Sequence, residues 1–254
     1  LFGMASCKQK KENKTSITSM KDYEVYLTQS DMNKIVKLDK QEAFWNAKYE
    51  AAPNQFSYQL KMAGIYTQKF EQSADVNMLY KAEKQLREAN AAVNLTNAGM
   101  LRALAKNYIT QHRFKDAHQL LQLADSIGEN KKATAKMLFD VKMELGEYDA
   151  AEVLLDSMRA DNFDYYIRLA KWRDYKGNLD GAILSMENAV QLAENKKDKY
   201  RKLWSYSNIA DFFGHAGRIG EAYEYYLKTL AIDPSYSYAL KGIAWIVFSK
   251  ERNT

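Results

Sequence analysis

The chain has 254 residues and a formal net charge of +5, and its two prolines and eleven glycines leave long stretches free to form helices. Residues 1–21 carry five lysines and one glutamate, so the rest of the chain is nearly neutral and lacks the basic surface of a nucleic-acid-binding protein. The single cysteine excludes an internal disulfide, and no apolar run approaches the roughly 20 residues of a membrane span.

The first residues, LFGMASC, look like the end of a secretory signal peptide. Leu1 and Phe2 would close its apolar region, and two small residues precede Cys7. The segment from Met4 to Cys7 resembles a bacterial lipobox, in which the cysteine becomes the lipidated first residue of the mature protein. We therefore predict a lipid on Cys7 followed by a flexible tether, and an ordinary solvated terminus is the alternative.

The first ordered segments are harder to assign than the later ones. Residues 21–30 contain aromatic and aliphatic side chains that fit either a turn or a strand. Asp39 and Glu42 form a capping box, which predicts a helix that starts near Lys40. Pro53 ends that helix because proline cannot continue it.

Helical pairs follow at a spacing near 34 residues, each with apolar side chains three and four residues apart on both helices. In the first of these pairs the connection 68–77 is long, and Asp75 is placed to cap the second helix. The pairs begin near the following residues: Tyr58, Ala98, Ala135, Phe163 and Tyr206.

The pair at residues 206–234 shows the pattern most fully. Two apolar helix faces are separated by Gly217, which breaks the helix, and the second helix stops at Pro234. The spaced positions that carry the pattern are Tyr206, Ile209, Ala210, Phe213, Gly217, Ala222, Tyr226 and Pro234. This set resembles the tetratricopeptide repeat, and only Thr229 departs from it, where alanine is usual.

The resemblance implies an all-α fold, a right-handed α-solenoid of about six stacked antiparallel helix pairs. We expect the repeat domain over residues 31–236, after a signal-peptide remnant and tether over 1–30. Residues 237–254 would be the first helix of a further repeat or a C-terminal cap. The whole chain would be a fragment of a longer bacterial, Bacteroidetes-like lipoprotein.

In the tetratricopeptide family the first helix of each pair lines an inner surface, along which extended peptides lie. The resemblance implies a groove in this chain lined by Arg102, Lys106, Lys136, Arg168, Lys171, Tyr175, Tyr238 and Trp245. The cations would form a basic stripe suited to acidic peptides or a terminal carboxylate. The alternative is ordinary solubilising charge on an inner helix.

The sequence offers no signature of catalysis. No nucleophile elbow, phosphate-binding loop, zinc-protease motif or dinucleotide fingerprint is present. His112 and His118 are six residues apart and do not share a helix face, so they are poor metal ligands. We therefore expect no enzyme activity, no cofactor and no metal.

The sequence thus predicts a non-enzymatic interaction scaffold of the bacterial envelope, held at the membrane by its lipid and binding a protein or peptide partner. One alternative is the sensing portion of a larger signalling protein. Another is a lipoprotein that captures carbohydrate on clustered tryptophans. The dispersed positions of Trp45, Trp172, Trp204 and Trp245 disfavour the second alternative.

Overall fold

The computed structural model describes residues 16–28 and 32–251, so the predicted lipid site at Cys7 lies outside the described residues. Every regular element in these two ranges is helical, which confirms the all-α prediction. The chain divides into two compact units. One comprises residues 32–205, and the other comprises residues 16–28 together with 206–251.

The helices are joined mostly by short turns. In chain order they are α1 (Met20–Leu27), α2 (Met32–Ala51), α3 (Phe56–Ser73), α4 (Val76–Ala92), α5 (Ala98–Thr110), α6 (Phe114–Ile127), α7 (Lys131–Leu145), α8 (Tyr148–Ser157), α9 (Phe163–Tyr175), α10 (Leu179–Asn195), α11 (Lys199–His215), α12 (Ile219–Ile232) and α13 (Ser237–Trp245), followed by a π-helical segment, Ile246–Lys250.

Within residues 32–205, helices that are consecutive in sequence pack against one another. The pairs α3–α4, α5–α6, α7–α8 and α9–α10 each form a hairpin, and α4 packs on α5, α6 on α7 and α8 on α9. Fully buried alanines such as Ala82, Ala105 and Ala117 let the helix backbones approach closely. Each hairpin thus covers the apolar face of its neighbours, which confirms the predicted solenoid of stacked helix pairs.

The turns are set by glycine and asparagine. Gly128, Gly146 and Gly177 adopt positive φ values of 84°, 76° and 75°, a conformation that glycine takes without strain. Asparagine side chains cap the helices that follow, as Asn97 does for α5 and Asn162 for α9 by accepting a backbone N–H three residues on. Local sequence therefore fixes where each helix stops and the next begins.

Two predicted boundaries were wrong. Helix α2 begins at Met32 and not near Lys40, since no proline or glycine interrupts residues 32–51. Asp39 lies inside this helix, where its carboxylate binds Lys69 Nζ of α3 at 2.6 Å instead of capping a helix. The predicted long connection 68–77 is mostly helix, since α3 continues to Ser73. The cap at Asp75 is confirmed, because its side chain accepts from Asn77 N at 3.0 Å.

The second unit joins segments that are far apart in sequence. The sequence of residues 21–30 fitted either a turn or a strand, but residues 20–27 form helix α1, which packs on α12. The Glu251 carboxylate accepts hydrogen bonds from Thr18 N at 2.8 Å and Thr18 Oγ1 at 2.6 Å. Tyr223 on α12 accepts from Ser19 N at 3.2 Å, so the N-terminal segment is tied to the C-terminal helices.

Candidate binding surface

The predicted groove residues are distributed over both units. In residues 32–205 they lie on the first helices α5, α7 and α9, and Tyr238 and Trp245 lie on α13 of the other unit. We call the side chains of α5, α7 and α9 that were predicted to line the groove the first-helix surface. It contains Arg102, Lys106, Lys136, Arg168, Lys171 and Tyr175.

Arg168 is the most constrained of these residues. Only 8% of it is exposed, and its Nη2 lies 2.6 Å from Asp140 Oδ2 on α7. Its Nε donates to the carbonyl oxygen of Lys136 at 3.1 Å, and its Nη1 donates to that of Asp164 at 2.9 Å. The guanidinium is therefore used to join α7 to α9, and little of it is left to bind a ligand.

Two further ion pairs cross between the same helices. Lys136 Nζ lies 2.7 Å from Asp164 Oδ2, and Lys171 Nζ lies 2.7 Å from Glu144 Oε1. Burial alone would raise the pKa of Asp164, but the hydrogen bond and charge of Lys136, with the charges of Arg168 and Arg201, outweigh it and hold that pKa below its usual value. The predicted basic stripe is thus, over α7 and α9, a set of paired charges.

On α5 the two predicted cations differ from each other. Arg102 Nη1 donates to the Glu129 carbonyl oxygen at 2.8 Å and to Thr134 Oγ1 at 3.1 Å, which ties α5 to the start of α7. Lys106 is exposed and forms no ion pair within the part of the chain that the structure describes. Lys106 is therefore free to contact a partner.

The predicted aromatic residues are partly engaged. Tyr175 is 44% exposed, and its ring stacks on that of Tyr148 at a centroid distance of 3.9 Å. On α13, Tyr238 donates its hydroxyl to Asp211 Oδ2 at 2.5 Å, and Tyr226 donates to Asp211 Oδ1 at 2.5 Å. Burial and these hydrogen bonds raise the pKa of both tyrosines, so they stay protonated.

Sequence reasoning missed a cavity of about 480 Å³ between the first turns of α7 and α9. The basic side chains around it include Lys131, Lys132 and Arg159, of which none was predicted as a site residue. The cavity depends on where α8 ends, and the polar residues Asp156, Ser157, Asp161 and Asn162 around that end were the available sequence signal. It lies beside Lys136, which was predicted.

Residues 16–28 and 32–251 contain no evident metal site. No group of three or more histidine, cysteine, aspartate or glutamate side chains there could hold a metal ion. None of the helices in those ranges combines the length and apolar character needed to cross a membrane.

Comparison with known proteins relates the chain to others through its fold. No protein-family model and no curated protein sequence matches it. A chain of the APC/C hetero-tetramer Cut9-Hcn1 is similar at a TM-score of 0.63 and 15% identity, over 84% of this chain and 40% of that one. PilW, a widely conserved type IV pilus biogenesis factor, is similar at 0.55 and 17% identity, over 88% of this chain and 96% of that one. Yeast Tom70 is similar at 0.54 and 13% identity, over 84% and 52%.

These likenesses show the fold alone, because the identities are below 20%. The chain spans 40% of the length of the Cut9-Hcn1 chain that it matches. The similar structures are tetratricopeptide-repeat proteins. Their likeness and the stacked helix pairs show that the chain has the tetratricopeptide-repeat fold, as the spacing over residues 206–234 predicted.

Proposed function

We propose that this chain is a non-enzymatic scaffold that holds a protein or peptide partner on its first-helix surface. The observation that supports the proposal is the cross-linking of that surface by polar contacts between successive repeats, of which Arg168 with Asp140 is the most buried. These contacts fix the helices relative to one another, so that exposed side chains such as Lys106 are presented from a rigid framework and little backbone order has to be gained when a partner binds. A pre-organised surface is suited to binding.

The same contacts argue for holding and not for reaction. The carboxylates of Asp164 and Glu144 each accept from a cation on the facing helix at 2.7 Å. A general acid or base needs a proton that it can exchange with a substrate, and a carboxylate held in an ion pair is poorly placed to do so.

A photocrosslinking experiment in the source organism tests the binding function. A benzophenone amino acid is placed at Lys106, on the first-helix surface, or at Lys115, an exposed position on the second helix α6. We expect one protein to be crosslinked from position 106 in repeated preparations and not from position 115. Equal crosslinking from both positions, or none from either, would contradict the proposal.

We also propose that the protein works at the bacterial envelope, attached to the membrane by a lipid on Cys7. This part is supported by the sequence Met4 to Cys7 and by the lysine-rich spacer that follows it. One acyl chain alone binds membranes weakly, whereas the two or three chains of a lipoprotein give stable attachment.

Membrane fractionation with mass spectrometry tests the anchor separately. In the natural gene product we expect Cys7 to be the first residue of the mature chain and to carry a diacylglyceryl group. Cys7→Ser should move the protein out of the membrane fraction. A mature chain with an unmodified Cys7 would contradict the anchor, and the binding proposal would be unaffected.

A further inference from the structure

We infer that the cavity between α7 and α9 binds an acidic segment of the partner, in which one apolar side chain is flanked by carboxylates. The inference rests on the proposed function, because it names the part of the partner that the scaffold recognises. The cavity lies at the first turns of α7 and α9. Of the residues that line it, only Lys136 was predicted as a site residue.

The cavity exists because α8 is short. Helix α8 has 10 residues, whereas the corresponding second helices α6 and α10 have 14 and 17. At about 1.5 Å per residue, α8 is roughly 6 to 10 Å shorter than they are. Residues 158–162 cross this space without regular structure and leave a cavity of about 480 Å³, a volume typical of ligand pockets.

The charges around the cavity are mostly positive. Four cations and one carboxylate line it: Lys131, Lys132, Lys136, Arg159 and Asp164. Asp164 neutralises Lys136 at 2.7 Å. Arg159 faces Asp156 at 2.8 Å, but both side chains are more than 60% exposed, so water screens that pair.

Lys131 and Lys132 remain uncompensated. Both are exposed at the start of α7, and neither forms an ion pair with any residue that the structure describes. Together with Arg159, whose pair with Asp156 is screened by water, they carry more positive charge than one terminal carboxylate would match. A segment with several aspartates or glutamates complements them better than a single carboxylate does, so the proposed ligand is an acidic segment.

The remaining lining supplies apolar surface. Ala135 and Met158 contribute aliphatic atoms, and the half-buried ring of Tyr165 forms part of the wall. Methionine adapts its shape to a neighbouring side chain, and an aromatic ring offers a large contact area. One aliphatic side chain of the ligand can therefore enter while carboxylates on either side of it reach the cations.

Fluorescence anisotropy with defined peptides on the full chain tests the inference. The probe is a labelled peptide of sequence Asp-Glu-Leu-Asp-Glu, capped at both ends so that it has no terminal charge. Comparison peptides replace the acids by Asn and Gln, replace Leu by Gly, or keep a single free C-terminal carboxylate on a neutral chain. We expect the acidic peptide with Leu to bind at least tenfold more tightly than each of the other three.

A pair of double variants locates the binding. Lys131→Glu with Lys132→Glu should weaken binding of the acidic peptide at least tenfold, and the helix should still form because acidic residues are favourable in a first turn. The matched control, Lys196→Glu with Lys199→Glu, makes the same change of charge on exposed lysines outside the cavity. It should leave the affinity within twofold of the original.

Filling the cavity tests its apolar part without changing charge. Ala160→Trp places a large ring in the exposed loop that borders the cavity, and it should remove the preference for Leu over Gly in the peptide. The inference would be overturned if the two double lysine variants lost affinity equally, or if the original chain did not bind the acidic peptide. The crosslinking experiment at Lys106 would still test the scaffold function, independently of this result.

Discussion

The two units of the molecule differ in how far apart in sequence their contacting segments lie. In residues 32–205 every hairpin packs on hairpins that are adjacent in sequence, as α5 with α6 and α6 with α7. In the other unit Glu251 binds Thr18, 233 residues away, and Tyr223 binds Ser19, 204 residues away. The packing of each repeat on its neighbours follows directly from a sequence period. The contacts of the other unit instead require two segments that are distant in sequence to meet.

The difference lies also in the kind of interaction. The unit of residues 32–205 relies on apolar side chains removed from water, such as Phe139 and Leu121, both fully buried. The attachment of residues 16–18 relies on hydrogen bonds to one carboxylate, that of Glu251. Apolar burial depends little on pH, while hydrogen bonds to a carboxylate require its charge. Removing that charge, by mutation or by acid, should therefore weaken the attachment of residues 16–18 and leave the apolar contacts of residues 32–205 in place.

The largest expected effect comes from the apolar core of the first unit. Phe139→Ala removes a fully buried ring from α7 and should lower the free energy of unfolding by about 3 to 5 kcal/mol. Phe44→Ala makes the same change where the ring is 54% exposed and should cost less than about 1 kcal/mol. Urea unfolding followed by circular dichroism measures both, and equal losses would contradict the assignment of Phe139 to the core.

Two glycines of the second unit should respond in opposite directions. A Cβ at Gly242 would overlap the ring of Tyr226, which donates to Asp211, so Gly242→Ala should cost about 1 to 3 kcal/mol. Gly220 in α12 has open space around the same position, so Gly220→Ala should raise stability by about 0.5 to 1 kcal/mol. Thermal unfolding distinguishes them, and a shift of the same sign in both would show that α13 packs differently.

Glu251 should make the attachment of the N-terminal segment sensitive to acid. Burial alone would raise the pKa of Glu251, but the hydrogen bonds from Thr18, Ser16 and Ile17 outweigh it and lower that pKa. Stability from these bonds is therefore fully present above the unfolded-state pKa, near 4.3, and is lost as pH falls through the lower folded-state pKa. The amide resonance of Thr18 should shift over this range below about pH 4.

The matched variants isolate that carboxylate. Glu251→Gln should cost about 1 kcal/mol near neutral pH and abolish the acid-dependent shift of Thr18. Glu224→Gln changes an exposed glutamate on α12 and should do neither. A Thr18 titration that persists in Glu251→Gln would mean that another group controls the segment.

The smallest effect is expected for the ion pair of Lys171 with Glu144, one of the pairs that join α7 to α9. Lys171 and Glu144 are 37% and 42% exposed, so Lys171→Gln should cost less than about 0.5 kcal/mol. Because salt screens the original pair, 1 M NaCl should remove even that difference. A loss above about 1.5 kcal/mol would show that this pair does more than join two solvated surfaces.

Much of the fold could be predicted because repeat proteins encode their packing locally. Gly146 and Gly177 marked helix ends, and alanines such as Ala117 marked close helix contacts, so spacing alone gave most hairpins. The errors came where a side chain served a distant partner. Asp39 has the sequence context of a cap, but it pairs with Lys69 on the next helix, and sequence spacing does not reveal such a choice.

The candidate site was less predictable for the same physical reason. The positions of Arg168 and Lys136 on first helices followed from the repeat, but their carboxylate partners depend on how two helices face each other. The cavity beside them depends on the length of α8, which ends at Ser157. The attachment of residues 16–28 to α12 follows no sequence period, so the sequence alone could not predict it.

Hydrogen exchange of Phe139→Ala, measured by mass spectrometry, tests most directly the claim that each hairpin is stabilised by its neighbours. We predict that amide protection falls most in α7 and α8, less in α6 and α9, and not at all in α3 and α4. An equal loss of protection across residues 32–205 would contradict the claim, because it would mean that those helices unfold together around one shared core.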